Sequence, residues 1–425
     1  MKPHLHIAIL NVFFAPHTYG GATVVAEEVG RRLVKEHGVQ VSAISVMSRG
    51  DLAPYSVIRG EVDGMATWLI NLPPDRGYAE SYINPYVGEQ VARILHQIEP
   101  DIAHVHCVQD LGADCLSRIK AAGVPIILSV HDFWWLCERQ FMLRPDGSYC
   151  GQSPIEIEKC RGCASDFGRA RARHSALLSL ADLADVVTYP SVFAHDLCVA
   201  SGLAPGKGVI WENGVRLPGE DFFERRAARR AADPRVVFGY VGGPSRIKGW
   251  PMIHDAFAGL GREDVKGLVV DGSLDGSWWK NIPLDGLSGN WAVWPRYDQD
   301  SMDAFYAEID VLLFMSQWKE TFGLSIREAV ARGIQVIQTD SGGTVEHQAA
   351  NPKTLLKIGD RPEILRDRVV DVLENGPCAQ NPCAVTSQSD QAAAFMVLAE
   401  KVLAARDAGR SKARRNGRSG PMIAA

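Results

Sequence analysis

The chain has 425 residues, 46% hydrophobic and 22% charged, with a formal net charge of −5. That length exceeds what one core usually serves and predicts two domains, while the negative balance argues against bulk nucleic-acid binding. No apolar run of about 18 residues occurs, and "MKPHLHIAIL" leads straight into a strand-like segment, so a cytosolic location is expected.

In chain order, "HLHIAILNVFF" predicts a buried strand, "ATVVAEEVGRRLVKEHG" a helix and "VQVSAISV" the next strand. Within the helix, Val25, Val29 and Leu33 recur every four residues, and Gly38 stops it. Glu27 with Arg31 and Glu28 with Arg32 are expected as outward i,i+4 pairs. Further strands are predicted in "DIAHVHCV", "VPIILSVHD" and "ADVVTYPS". This alternation makes a parallel sheet with helices on both faces.

Between the last two of these strands lies "CERQFMLRPDGSYCGQSPIEIEKCRGC". Its Cys160 and Cys163 form a two-residue-spaced knuckle, with Cys137 and Cys150 upstream. Four thiolates in a reducing compartment can close a tetrahedral structural zinc site; free buried thiols are the other reading. The loop follows His131 and is expected to wall a pocket beyond that strand end. The aromatics Phe133, Trp134 and Trp135 before it are candidates for stacking on a ligand's rings, although core packing is the commoner fate.

A Gly-, Pro- and Arg-rich passage follows, containing Arg225, Arg226, Arg229 and Arg230 on an expected solvated helix face. The alternation then restarts with "RVVFGYVGG", "VKGLVVDGS", "NWAVWP", "DVLLFMS" and "IQVIQTDSGG". Two Rossmann-like parallel-sheet α/β domains facing an interdomain cleft are expected, at residues 1–203 and 236–375, with a linker at 204–235. The helical segment 376–405 is expected to cross back to the first domain. Residues 406–425 are expected to be a disordered tail carrying Arg406, Arg410, Lys412, Arg414, Arg415 and Arg418. These basic segments are the only candidates for peripheral contact with the inner face of a membrane.

Ligands of open parallel sheets sit beyond the carboxyl ends of the strands, which directs attention to Gly20, Gly21, His131, Asp132, the stretch 242–248 and Glu320. In "KETFGLSIREA" a helix starts at Gly323, and its unpaired N–H groups make an anion site. With a rise of about 1.5 Å per residue, Glu328 lies roughly 7 Å along that helix, and Glu320 stands before the turn. Carboxylates on either side of an anion site suit a ligand with hydroxyls at both ends and phosphates in the middle, such as a nucleoside diphosphate sugar. Arg246 and Lys248 in "GGPSRIKGW" are candidates to neutralise the phosphates. Asp298 and Asp300 in "YDQD" have the spacing of metal-binding acids but are read as a cap for the helix in "SMDAFYAEI".

The combination of "YGGATVVAEEV", "SVHDFWWLC", "ENGV", "GYVGGPSRIKGW", "VVDGS" and "SQWKETFGLSIREAVARGIQVIQTDSGGTVE" resembles the retaining glycosyltransferases of family 4, which have the GT-B fold. The resemblance covers roughly residues 5 to 350 with order and spacing kept. It implies that Glu320 contacts the transferred sugar and Glu328 the ribose hydroxyls, with Thr321, Phe322, Gly323 and Leu324 of the turn between them also binding the donor. It also implies that Arg246 and Lys248 bind the diphosphate, that Gly21 approaches the phosphates, and that His131 lies near the donor sugar. Most relatives read Gly-Arg where this chain reads Gly242-Gly243, and Arg246 is the candidate to replace the missing arginine.

The activity implied is transfer of a sugar from a nucleoside diphosphate sugar to a glycan, lipid-linked or small-molecule hydroxyl, as in polysaccharide or other glycoconjugate biosynthesis. Configuration is retained and no cofactor is required at the active site. A nucleotide-sugar epimerase of the same fold and a non-catalytic nucleotide-sugar-binding subunit are the alternatives. The nucleobase, the sugar and the acceptor are not encoded in any readable motif; base choice is expected to lie with backbone around residues 294 to 298.

Overall fold

The computed structural model describes residues 5–378 and 381–416. Its first sheet is built from β1 (His6–Leu10), β2 (Gln40–Met47), β3 (Val57–Val62), β4 (Met65–Asn71), β5 (Ile102–Val105), β6 (Ile126–Ser129), β7 (Val186–Tyr189) and β8 (Gly208–Ile210). They lie in the order β3-β4-β2-β1-β5-β6-β7-β8, all parallel except β3. The second sheet holds β9 (Val236–Tyr240), β10 (Val265–Val270), β11 (Asn290–Trp294), β12 (Val311–Phe314), β13 (Gln335–Thr339) and β14 (Leu355–Leu356). Its order is β11-β10-β9-β12-β13-β14, all parallel. The order reverses beside β1 in the first sheet and beside β9 in the second, and a crevice opens at such switch points. Central strands β1, β5 and β6 are buried at every residue, as strands covered on both faces must be.

Several elements differ from the sequence expectation. The helix Gly21–His37 ends at Gly38 in the left-handed conformation, as the glycine requires, but Glu27 and Glu28 point inward and are buried. Glu27 accepts the Thr18 hydroxyl, and Arg31 bridges Glu28 and Asp63 instead of pairing with Glu27. Arg32 pairs with Glu36. The region drawn as a linker is divided between the domains: β8 extends the first sheet, while the helix Phe222–Ala232 packs on the helix Met302–Glu308 of the second. Its arginines are only partly a solvated face: Arg225 and Arg230 are exposed, whereas Arg229 pairs with Asp310, as Arg230 also does, and Arg226 donates to the carbonyls of Arg332 and Gly333.

The final helix, Gln388–Asn416, packs against the helix Gly21–His37 of the first domain. Its Phe395, Ala399 and Val402 enter the core formed by Ile7, Ile9, Val25 and Val29, and Trp211 Nε1 donates to the Gln391 carbonyl. The helix runs on through Arg406 to Asn416, so the segment expected as a tail begins as helix; residues 417–425, with Arg418, lie outside the described residues. Among the described residues no helix is long and apolar enough to cross a membrane.

Candidate active site

A cavity of about 870 Å³ lies between the carboxyl ends of the two sheets. Two helix N-termini meet in it. The helix Gly21–His37 begins after Gly20 (φ 82°) and the helix Leu324–Ala331 after Gly323 (φ 87°). Neither has a side-chain cap or an acidic residue in its first turn. A Cβ on Gly21 would stand 3.2 Å from Leu324 Cδ1, so the two ends approach closely. Uncapped N–H groups from both domains thus face the cavity at the positive ends of two helix dipoles, an arrangement suited to an anion.

Lys248 lies 2.8 Å from Glu320 Oε1, which also accepts the Ser316 hydroxyl at 2.6 Å. The loop carrying Lys248 is held at two points by the Tyr240 hydroxyl, which donates to the Gly243 and Lys248 carbonyls. Gly249 closes it in the left-handed conformation, where any Cβ would fall 1.9 Å from the Met315 oxygen. Glu328 is buried yet lines the cavity, and its Oε2 accepts the Tyr306 hydroxyl at 2.7 Å. Burial pushes its carboxyl above the ordinary range. His131 also lines the cavity, and its burial lowers the imidazole to about 4, so the ring is neutral.

The two domains are in contact around this site. Thr321 Oγ1 donates to the His131 carbonyl at 2.6 Å, and the Ser191 hydroxyl donates to the Thr321 carbonyl at 2.6 Å. Glu346 accepts the N–H groups of Val192 and Phe193, capping the helix Val192–Ala200 of the first domain from the second. Arg327 is buried and donates to the carbonyls of Phe322, Gly343, Thr344 and Glu346, which fixes the turn 320–323 against the segment that carries Glu346.

The cavity thus brings together Gly21, His131, Lys248, Glu320, Thr321, Phe322, Gly323, Leu324 and Glu328. Arg246 is not among them. It is exposed, and its Nη1 donates to the Asp146 carbonyl at 3.3 Å, across the domain boundary on the cysteine loop, so in this structure it does not line the cavity. The reason for glycine at 243 is steric: φ is 70°, and a Cβ would lie 2.7 Å from Trp278 Cε3 and Cζ3. Trp278 takes that volume and itself lines the cavity. Phe133, Trp134 and Trp135 are core residues rather than stacking platforms; Phe13, Tyr19, Phe141 and Trp318 supply the cavity's aromatic wall instead.

The four cysteines of the loop form no disulfide with one another, and burial pushes the Cys137 thiol up to about 11 and raises Cys160 and Cys163. Among the described residues no group of three or more His, Cys, Asp or Glu side chains is arranged to hold a metal ion. Asp298 accepts from the Ser301 N–H and hydroxyl, closing the turn before Met302–Glu308, and Asp300 pairs with Arg216, so neither is the helix cap itself.

Sequence reasoning missed Trp278, Glu346 and the histidines behind His131. For the last a signal existed: in a strand, His104 and His106 two residues apart share one face.

The fold and this cleft define a two-domain α/β architecture of the GT-B type. A model of Glycosyltransferase Family 4 matches residues 19–217 and one of Glycosyl transferases group 1 matches residues 235–375; the chain belongs to this family of glycosyltransferases. A GDP-mannose-dependent alpha-mannosyltransferase of Mycobacterium tuberculosis (strain CDC 1551 / Oshkosh) is 26% identical over 263 residues, which span 60% of this chain and 59% of that relative's length. Among solved structures, sucrose-phosphate synthase from Thermosynechococcus elongatus aligns with a TM-score of 0.63 at 16% identity, over 97% of this chain and 99% of that one. The catalytic domain of starch synthase IV from Arabidopsis thaliana, bound to ADP and acarbose, gives 0.61 at 14% identity, over 94% and 100%. Anabaena HepE in complex with UDP-glucose gives 0.58 at 15% identity, over 96% and 100%. At these identities the likeness is one of fold.

Proposed function

We propose that this protein transfers a glycosyl group from a nucleoside diphosphate sugar to a hydroxyl acceptor with retention of configuration. The observation that carries the reading is the meeting of two uncapped helix N-termini beside Lys248, with Glu320 on one side and Glu328 on the other. A diphosphate seated there places its sugar toward Glu320 and its ribose toward Glu328. Departure of the nucleoside diphosphate builds charge on phosphate oxygens, so Lys248 and the N–H groups stabilise the transition state more than the ground state. With this potential supplied by the chain, the reacting centre needs no divalent metal. The acceptor hydroxyl attacks the face the leaving group vacates, and a leaving phosphate oxygen takes its proton.

The acceptor is a glycan, lipid-linked or small-molecule hydroxyl, reached past the aromatic wall formed by Phe13, Tyr19, Phe141 and Trp318. Contact with an anionic membrane surface is proposed only for the basic stretch from Arg406 onward, since Arg229 and Arg230 are committed to Asp310.

A panel of nucleotide sugars screened for thermal stabilisation identifies the donor, and Lys248→Ala then tests the site. Its kcat/KM falls by roughly two to three orders of magnitude as a transition-state charge partner is lost. Wild-type turnover in that variant refutes the assignment.

A further inference from the structure

Behind His131 a chain of hydrogen bonds enters the core of the first domain. His131 Nε2 lies 2.8 Å from His106 Nδ1, His106 Nε2 lies 3.2 Å from His104 Nδ1, and His104 Nε2 lies 2.8 Å from Ser129 Oγ. The Ser129 hydroxyl in turn lies 2.7 Å from Thr188 Oγ1. His104, His106, Ser129 and Thr188 are buried, and Phe395 stacks on His104 at 4.3 Å with Trp211 against its edge. The far end therefore has no route to water, and the chain cannot conduct protons out of the site.

Each link between neutral imidazoles holds one proton, so the chain has two registers. In one, protons point inward from His131 Nε2 to Thr188, and the Thr188 hydroxyl is left in a dry core with no acceptor among the described residues. In the other, Thr188 donates to Ser129, Ser129 to His104, His104 to His106 and His106 to His131, and every buried proton has an acceptor. An unsatisfied buried donor costs about 1–3 kcal/mol, which selects the second register.

We propose that this chain fixes His131 as the Nδ1–H tautomer, so that it enters the cavity as a hydrogen-bond donor, with His106 and His104 as positioning residues. His131 Nδ1 makes no hydrogen bond to the protein among the described residues. The proton it offers is matched to an oxygen lone pair of the bound sugar nucleotide, and this last step rests on the function proposed above.

The test is ring nitrogen–proton correlation NMR on ¹⁵N-histidine-labelled protein without ligand, with His131 assigned by its loss in His131→Gln. The expected spectrum shows His131 protonated at Nδ1. In His106→Phe it reverts to the Nε2–H form that free histidine favours, and kcat falls by about tenfold, the worth of one ordinary hydrogen bond, with little change in donor KM. Should His106→Phe fail to fold, Ser129→Ala removes the hydroxyl that sets the register and gives both tautomers. An Nε2–H signal in the wild type overturns the proposal without any variant or turnover. An Nδ1–H signal in a protein that transfers to no acceptor supports the relay and counts instead against the glycosyl-transfer reading.

Discussion

Restoring the arginine that most family members carry at position 243 should damage this protein rather than improve it. Gly243 has φ 70°, where a residue with a Cβ costs about 1–2 kcal/mol. Its Cβ would also stand 2.7 Å from two carbons of the Trp278 ring, which must move out of a packed position at a further cost of about 1–3 kcal/mol. The sum, about 2–5 kcal/mol, falls on the second domain. At about 2–4 °C per kcal/mol for a domain of this size, Gly243→Arg should lower its melting temperature by roughly 4–20 °C. Tryptophan fluorescence during heating is the assay, and Trp278→Ala supplies the partner for a double-mutant cycle. Adding Trp278→Ala should recover the packing share of the loss but not the backbone share. A Gly243→Arg protein that melts with the wild type and binds a nucleotide sugar more tightly refutes the steric argument.

Glu328→Gln should raise the donor KM by roughly tenfold to a hundredfold, the range for hydrogen bonds to a charged group, with kcat little changed. Because burial raises the Glu328 carboxyl, lowering the pH protonates it earlier than an ordinary glutamate. Wild-type donor KM should therefore climb as the pH falls while that of Glu328→Gln stays flat; parallel profiles remove the carboxylate from the binding site. His131 stays neutral down to about 4, so kcat should carry no step from it between pH 5 and 8, and a step abolished by His131→Gln contradicts that. The zinc suggested by the spacing of Cys137, Cys150, Cys160 and Cys163 remains a proposal from sequence. Elemental analysis finding about one zinc per chain, released by Cys160→Ser, supports it, and a metal-free protein leaves the free thiols of the structure.

The central strands were legible because burial on both faces leaves predominantly apolar runs, as in β1, β5, β6 and β12. The hairpin of β3 and β4 was not: β3 reads "VIRGEV" and is almost wholly exposed at the sheet edge. Its clearest mark was Asp63-Gly64, with both residues at positive φ in the two-residue turn. β8 and β14, of three and two residues, carry too little sequence for a pattern. At the site, Lys248, Glu320 and Glu328 could be placed because strand ends and a helix start fix where such residues emerge. The direction of Arg246 could not, since it depends on how Tyr240 and Gly249 pin the loop. The burial of Glu27 and Glu28 depends on Thr18 and on Asp63, which reaches Glu28 through Arg31, and the helix pattern alone brings neither near.

The last helix is joined by the backbone to the second domain and packed into the core of the first, where Phe395 covers His104. Genetic exchange of donor domains between related proteins therefore has no clean cut. A crossover at residue 235 would import a foreign helix onto the native seat of Ile7, Val25 and Val29, whereas a transplant ending at 375 would keep the resident helix in place. Hybrids of the second kind should retain the first domain's integrity while acquiring a new nucleotide preference, and those of the first kind should fail at expression, before specificity can be read at all.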